Sequence, residues 1–81
     1  MNKEVFVLTH CTAEKDYPPK VFTSKKAAMD AFREQYYDMC RTYVESIKDC
    51  YLLEDTAIFV HDDDTYDTFQ VFKVPVIEGG E

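Results

Sequence analysis

The apolar positions of this chain follow two periods. Between Thr23 and Asp49, the residues Ala28, Ala31, Phe32, Tyr36, Met39, Cys40, Tyr43 and Ile47 recur at steps of three and four, which places them on one stripe of a 3.6-residue helix. Lys26, Asp30, Arg33, Glu34, Asp38, Arg41, Glu45 and Lys48 take the other side, with Lys26 and Asp30, and Arg41 and Glu45, one turn apart and able to pair. Thr23 or Ser24 offers an N-cap oxygen, and neither Pro nor Gly interrupts the run to Asp49. The pattern predicts one continuous helix over 23–49.

Elsewhere the apolar runs are short, β-branched and aromatic. Val5 to Thr9, Thr56 to His61 and Thr65 to about Val76 predict three strands. Val5 to Leu8 is apolar at every position, which suits a strand at least partly covered on both faces. His10 to Lys20 mixes charges with Pro18-Pro19 and predicts a loop, after which Val21 and Phe22 can staple the first helical turn. Asp62-Asp63-Asp64 between the last two strands predicts a hairpin turn. Pro75 puts the end of the last strand at an edge or outside the sheet, and residues 76–81 read as a frayed tail.

One helix and three strands give a two-layer α/β sandwich in β-α-β-β order, a long helix on a three-stranded, mainly antiparallel sheet with the third strand central. The alternative sets the first strand in the middle, parallel to the second through a right-handed crossover. A helix over 23–49 is roughly 40 Å long against about 20 Å for a six-residue strand, so it overhangs the sheet. Met39, Cys40, Tyr43, Val44 and Ile47 then need a cover, either Tyr51-Leu52-Leu53 folding back or the same patch of a second copy in a two-fold dimer.

Composition narrows the class. The 81 residues suffice for a single domain, 1–81, near the small end at which one core holds a fold unaided. With 46% hydrophobic and 15% aromatic residues, the chain is far from the composition of disorder. No apolar stretch of membrane-spanning length and no secretory signal pattern occurs. Cys11, Cys40 and Cys50 are odd in number and lack CxxC spacing, which suits reduced thiols in a cytosol. The net charge is −7, and it is uneven: residues 1–48 hold eight Lys or Arg against seven Asp or Glu, residues 49–81 one against nine. That field repels nucleic acid and anionic membranes and favours basic partners.

Two segments carry a resemblance. VFVLTH, a charged loop and VFTSKKAAMDAF, followed later by TYDTFQVFKVPV, are similar to the opening and closing elements of small, uncharacterised β-α-β-β proteins of bacterial phages and mobile elements, an anti-CRISPR-like class in which a VFxS element precedes a helix with early Ala. The resemblance covers roughly half the chain. It implies fold and mobile-element origin, and it carries no catalytic residue over.

The acidic turn is the first candidate site. His61-Asp62-Asp63-Asp64 with Asp67 gathers oxygens of the kind Ca²⁺ or Mg²⁺ prefers, but the EF-hand glycine is absent and Lys73 stands at the place of the bidentate Glu. A solvated turn is the simpler reading, and no metal or other cofactor is assigned. His10, Cys11 and His61 with Cys40 or Cys50 lack zinc-site spacing, and no oxyanion motif accompanies a Cys nucleophile. The tyrosines are the second feature: Tyr37 lies off the helical stripe, and Tyr17, Tyr51 and Tyr66 sit in or beside turns. Exposed aromatics beside acids can bind an Arg-rich surface by cation–π contact and charge, although small domains also use Tyr simply to cover core edges.

The sequence therefore points to a non-enzymatic acidic protein-interaction module. Its sharpest form is a phage or mobile-element inhibitor, anti-CRISPR or otherwise anti-defence, that docks on the basic nucleic-acid-binding surface of a larger protein. The surface consists of Asp62, Asp63, Asp64, Tyr66, Asp67, Glu54, Asp55 and Tyr37, on a monomer or homodimer that binds neither nucleic acid nor membrane directly. The alternatives are a homo-oligomeric structural module and a small Ca- or Mg-binding protein using the 62–67 turn.

Overall fold

The computed structural model describes residues 3–12 and 14–76. In chain order it contains β1 (Lys3–Thr12), β2 (Asp16–Phe22), α1 (Lys25–Thr42), β3 (Ile47–Leu52), β4 (Thr56–His61) and β5 (Tyr66–Val76). The strands form one sheet in the order β2-β1-β5-β4-β3, antiparallel at every junction. The expected three-stranded sheet with a long helix in β-α-β-β order is overturned, and so is the parallel alternative. Central β5 lies between β1 and β4.

Both extra strands sit at edges. Residues 16–22, which overlap the loop expected over His10 to Lys20 and include the expected staple Val21-Phe22, pair with β1 through Phe6↔Phe22, Val7↔Val21 and Leu8↔Lys20, then slip to His10↔Tyr17. Pro18 and Pro19 occupy that irregularity. An edge strand needs only half of its backbone groups for the ladder, so two residues without N–H are tolerated there. Thr12 closes the preceding turn: its Oγ1 accepts from the backbone N–H groups of Glu14 and Lys15, and its own N–H donates to the Lys15 carbonyl at 2.7 Å.

The helix is shorter than its periodicity predicts. Ser24 caps it, extended at φ −128° and ψ 147°, with Oγ accepting from the Ala27 N–H at 3.1 Å. At the other end Tyr43 leaves helical geometry, at φ −117° and ψ 26°. Its carbonyl accepts from the N–H groups of Ser46 and Ile47, both at 3.0 Å. The chain turns there without Gly or Pro because Ile47–Leu52 gains a ladder with β4. The 18 residues of α1 extend about 27 Å rather than roughly 40 Å, and the helix leads from the end of β2 to the start of β3, at opposite edges of the sheet. The first expected cover, Tyr51-Leu52-Leu53 folding back on the helix end, is not formed: Tyr43 and Val44 are exposed, as are Tyr51, Leu52 and Leu53. Arg41 pairs with Asp38 at 3.1 Å rather than with Glu45, which lies past the helix. Lys26 does bond Asp30, at 2.8 Å.

Alternation sorts the strands into two faces. Ala57, Phe59 and His61 of β4 are buried, with Phe69 and Val71 of β5 and Leu8 of β1, and against them pack Ala28, Phe32 and Met39 of α1. The other face has no helix over it among the described residues. Of the expected tail, Val76 ends β5 and the rest lies outside the described residues. No helix among the described residues is long and apolar enough to cross a membrane.

Candidate binding cleft

Apart from the exposed Glu4–Lys73 pair at the other end of the sheet, three polar residues that are largely buried fall on the helix side of the alternation. His10 follows Phe6 and Leu8 at intervals of two, His61 follows Ala57 and Phe59, and Asp67 precedes Phe69 and Val71. A polar group in such a place needs partners. Register supplies them: β1 pairs His10 with Phe69, and the β4–β5 turn brings His61 beside Asp67. His10 Nε2 lies 2.7 Å from Asp67 Oδ1, and His61 Nε2 lies 2.7 Å from Asp67 Oδ2. An ionised carboxylate only accepts, so each imidazole presents an Nε2–H to its own oxygen. His61 Nδ1 faces Ser46 Oγ at 3.2 Å, and that hydroxyl is also 3.2 Å from the Tyr43 carbonyl. His10 is held between the rings of Tyr17 and Phe69, at centroid distances of 4.3 and 4.1 Å.

Ser46, His61 and Asp67 of this chain of bonds line an open cleft of about 680 Å³, and His10 bonds Asp67 from outside that lining. Tyr17, Tyr43 and Tyr66 supply aromatic surface, and Glu14, Asp62, Asp63 and Asp67 supply carboxylates. No Lys or Arg is among its described lining residues. Lys15 lies just outside, its Nζ 4.6 Å from the Tyr17 ring centroid, a cation–π contact made within the chain itself.

The acidic turn is built by its own side chains. Asp63 Oδ1 accepts from the Thr65 hydroxyl at 2.6 Å and from the Thr65 N–H at 3.1 Å, and these bonds hold its carboxyl below the ordinary 3.8. Asp64 takes a left-handed φ of 66°, tolerable for Asp in a turn. Its carboxylate accepts from Lys48 Nζ at 2.8 Å, which raises the Lys48 ammonium above its ordinary 10.5. Three of the four acids of residues 62–67, Asp63, Asp64 and Asp67, are thus engaged with three different sets of neighbours. Among the described residues, no group of three or more His, Cys, Asp or Glu is arranged to hold a metal ion. His10 and Cys11 point to opposite faces of β1, so the zinc grouping considered from the sequence does not converge.

The expected binding residues divide between two ends of the molecule. Asp62, Asp63, Tyr66 and Asp67 line the cleft, while Asp64 turns to Lys48. Glu54 and Asp55 lie in the β3–β4 turn, where the Leu53 N–H donates to the Thr56 carbonyl. That turn is at the far end of β4, about 20 Å away. Tyr37 is on α1 beside Leu52, Leu53 and Glu54 in a separate, smaller depression. Glu14, Tyr43 and Ser46 belong to the cleft although the sequence reading did not assign them to a site. Period-two placement of His10, His61 and Asp67 among core residues was the available signal for this chain of bonds.

Comparison with protein-family models, curated proteins and solved structures returned no match.

Proposed function

We propose that this chain is a binding protein whose acidic, aromatic cleft accepts guanidinium or ammonium groups of a basic partner protein. The observation that carries the reading is the composition of the cleft wall, with three tyrosines and four carboxylates around about 680 Å³ and no cation among the described lining residues. Aromatic faces attract a cation most when it is partly desolvated, and a concave site lined by one sign of charge focuses its field on an incoming ligand.

The reading is non-enzymatic. Ser46, His61 and Asp67 stand in a hydrogen-bonded row, but the Ser46 hydroxyl lies beside the Tyr43 carbonyl at the helix end, where it closes a turn. The row holds the connection between α1 and β3 against the β4–β5 hairpin, and the Asp62 N–H adds a 2.8 Å bond to the Ser46 carbonyl. A finer version, an anti-CRISPR or other anti-defence inhibitor of mobile-element origin acting in a bacterial cytoplasm on a nucleic-acid-binding effector, draws on the sequence resemblance and on the acid concentrated in residues 49–81.

Titration with an Arg-rich peptide tests the reading. The joint variant Glu14→Gln, Asp62→Asn, Asp63→Asn should bind at least tenfold more weakly with its circular dichroism unchanged, and added salt should weaken the wild type. Equal affinity of variant and wild type at low salt would refute it.

A further inference from the structure

The uncovered face of the sheet is apolar where an exposed face should be polar. An antiparallel sheet with one solvated side normally alternates hydrophobic-in and polar-out. Here the outward positions of the three central strands include Val5 and Val7 of β1, Phe72 and Val74 of β5, and Ile58 and Val60 of β4. Register aligns them: Val7 opposes both Phe72 and Val21, and Val5 opposes Val74. Phe72 is 43% exposed and Val21 62%.

Charge is excluded from the same surface. From Val5 to Cys11, Thr56 to Val60 and Thr68 to Val74, every residue of the outward set is apolar or an uncharged Thr, Cys or Gln. Beyond that stretch, charge returns at outward positions of the edge strands, at Asp16, opposite Cys11, and Asp49, opposite Val60, and at the outer end of β1, at Lys3, opposite Val76. In a chain with 31% charged residues, such a face has the charge-depleted composition of an interface core.

We infer that this face packs on the same face of a second copy, as a two-fold β-sandwich dimer. Two chains of net charge −7 repel wherever their charged surfaces meet, and this face brings them together with the least repulsion. Five strands about 4.8 Å apart, rising about 3.3 Å per residue, give the face a projected area on the order of 600 Å². That is commensurate with the roughly 800 Å² of accessible surface per partner in a stable interface. Sheets of this kind stack about 10 Å apart with a small angle between their strands, which buries Phe72 and Val7 of each copy at the centre. The inference does not depend on the cleft reading.

Sedimentation across a concentration series from about 1 to 300 μM tests it with the whole chain. A dimer that strengthens with added salt is expected, since salt screens repulsion between the copies; cleft binding to a basic peptide should weaken under the same change. Phe72→Lys and Val7→Lys should raise the dissociation constant at least tenfold, whereas Leu52→Lys on the β3 edge should leave it within twofold. A wild-type monomer at every concentration, or a dimer broken by Leu52→Lys and indifferent to the face variants, would overturn the inference. Should the face variants fail to fold, the wild-type series alone decides, with exclusively monomeric protein as the refuting result.

Discussion

Asp67 Oδ2 lies 2.7 Å from His61 Nε2, and this bond fastens the start of β5 to the end of β4 directly beneath the cleft. The second carboxylate oxygen reaches His10 on β1, so one side chain ties three strands together at the end of the sheet where the acidic turn projects. The side chains of Asp67 and His61 are 16% and 11% exposed, dry enough for the bonds to matter and open enough for the cleft to sense them.

Replacing Asp67 with Ala leaves two imidazole N–H groups without their acceptor. Hydrogen bonds to a charged group contribute about 1.5–3 kcal/mol each when little exposed, so the variant should lose roughly 2–4 kcal/mol in urea denaturation. Ser46→Ala, which removes a hydroxyl from a half-buried turn, should lose about 1 kcal/mol. A loss below about 0.5 kcal/mol for Asp67→Ala would mean that the histidines are satisfied otherwise.

Local parts of the fold could be read from the residues, and the sheet as a whole could not. The Ser24 cap, the buried helical positions Ala28, Phe32 and Met39, and the Asp-rich hairpin follow from local chemistry. The two extra strands do not. Tyr43 and Ile47 continue a helical period that the backbone abandons, because pairing with β4 supplies bonds that periodicity alone does not reveal. Pro18-Pro19 argue against a strand unless that strand is known to lie at an edge. At the site, Asp62, Asp63 and Tyr66 were visible as an acidic turn with an aromatic. The joining of His10, His61 and Asp67 depends on register between residues up to 57 apart.

The shortened helix separates two neighbouring substitutions. Ile47 packs against the core from β3, whereas Tyr43 is 46% exposed past the helix end. Ile47→Ser should cost about 1–3 kcal/mol and Tyr43→Ser under about 1 kcal/mol. Equal losses in thermal melts would return the helical stripe to residue 47.

Alkaline titration reports on Tyr36. The hydrogen bond that the Tyr36 hydroxyl shares with the Cys50 sulfur, 3.7 Å away, followed by desolvation and the nearby thiols, pushes that hydroxyl up to about 12 from 10.0. A raised folded-state value favours the neutral form, so the contribution is intact below pH 10 and is lost as pH climbs through about 12. The near-ultraviolet tyrosinate signal should show one late-titrating ring, and Tyr36→Phe should remove it. Uniform ionisation of all tyrosines near pH 10 would contradict this.

Asp63 works in the opposite direction. Its carboxyl is held below 3.8, chiefly by the Thr65 hydroxyl and then by the Thr65 N–H. A depressed folded-state value contributes stability that is present above about pH 4 and fades as pH falls below 3.8 through the folded-state value. Thr65→Val should shift the Asp63 carboxyl resonance titration back towards 3.8, and an unmoved midpoint would show that the hydroxyl bond is not its cause.

The central claim is that the basic partner enters the cleft and not merely the acidic surface at large. Amide-resolved NMR titration of the wild-type chain with an Arg-rich peptide decides it. The account predicts saturable shifts at Tyr43, Ser46 and His61 to Asp67, with Glu54 and Asp55 at the far end of β4 unmoved. Shifts of equal size at both acidic ends, or none at Tyr43 and Ser46, would contradict it.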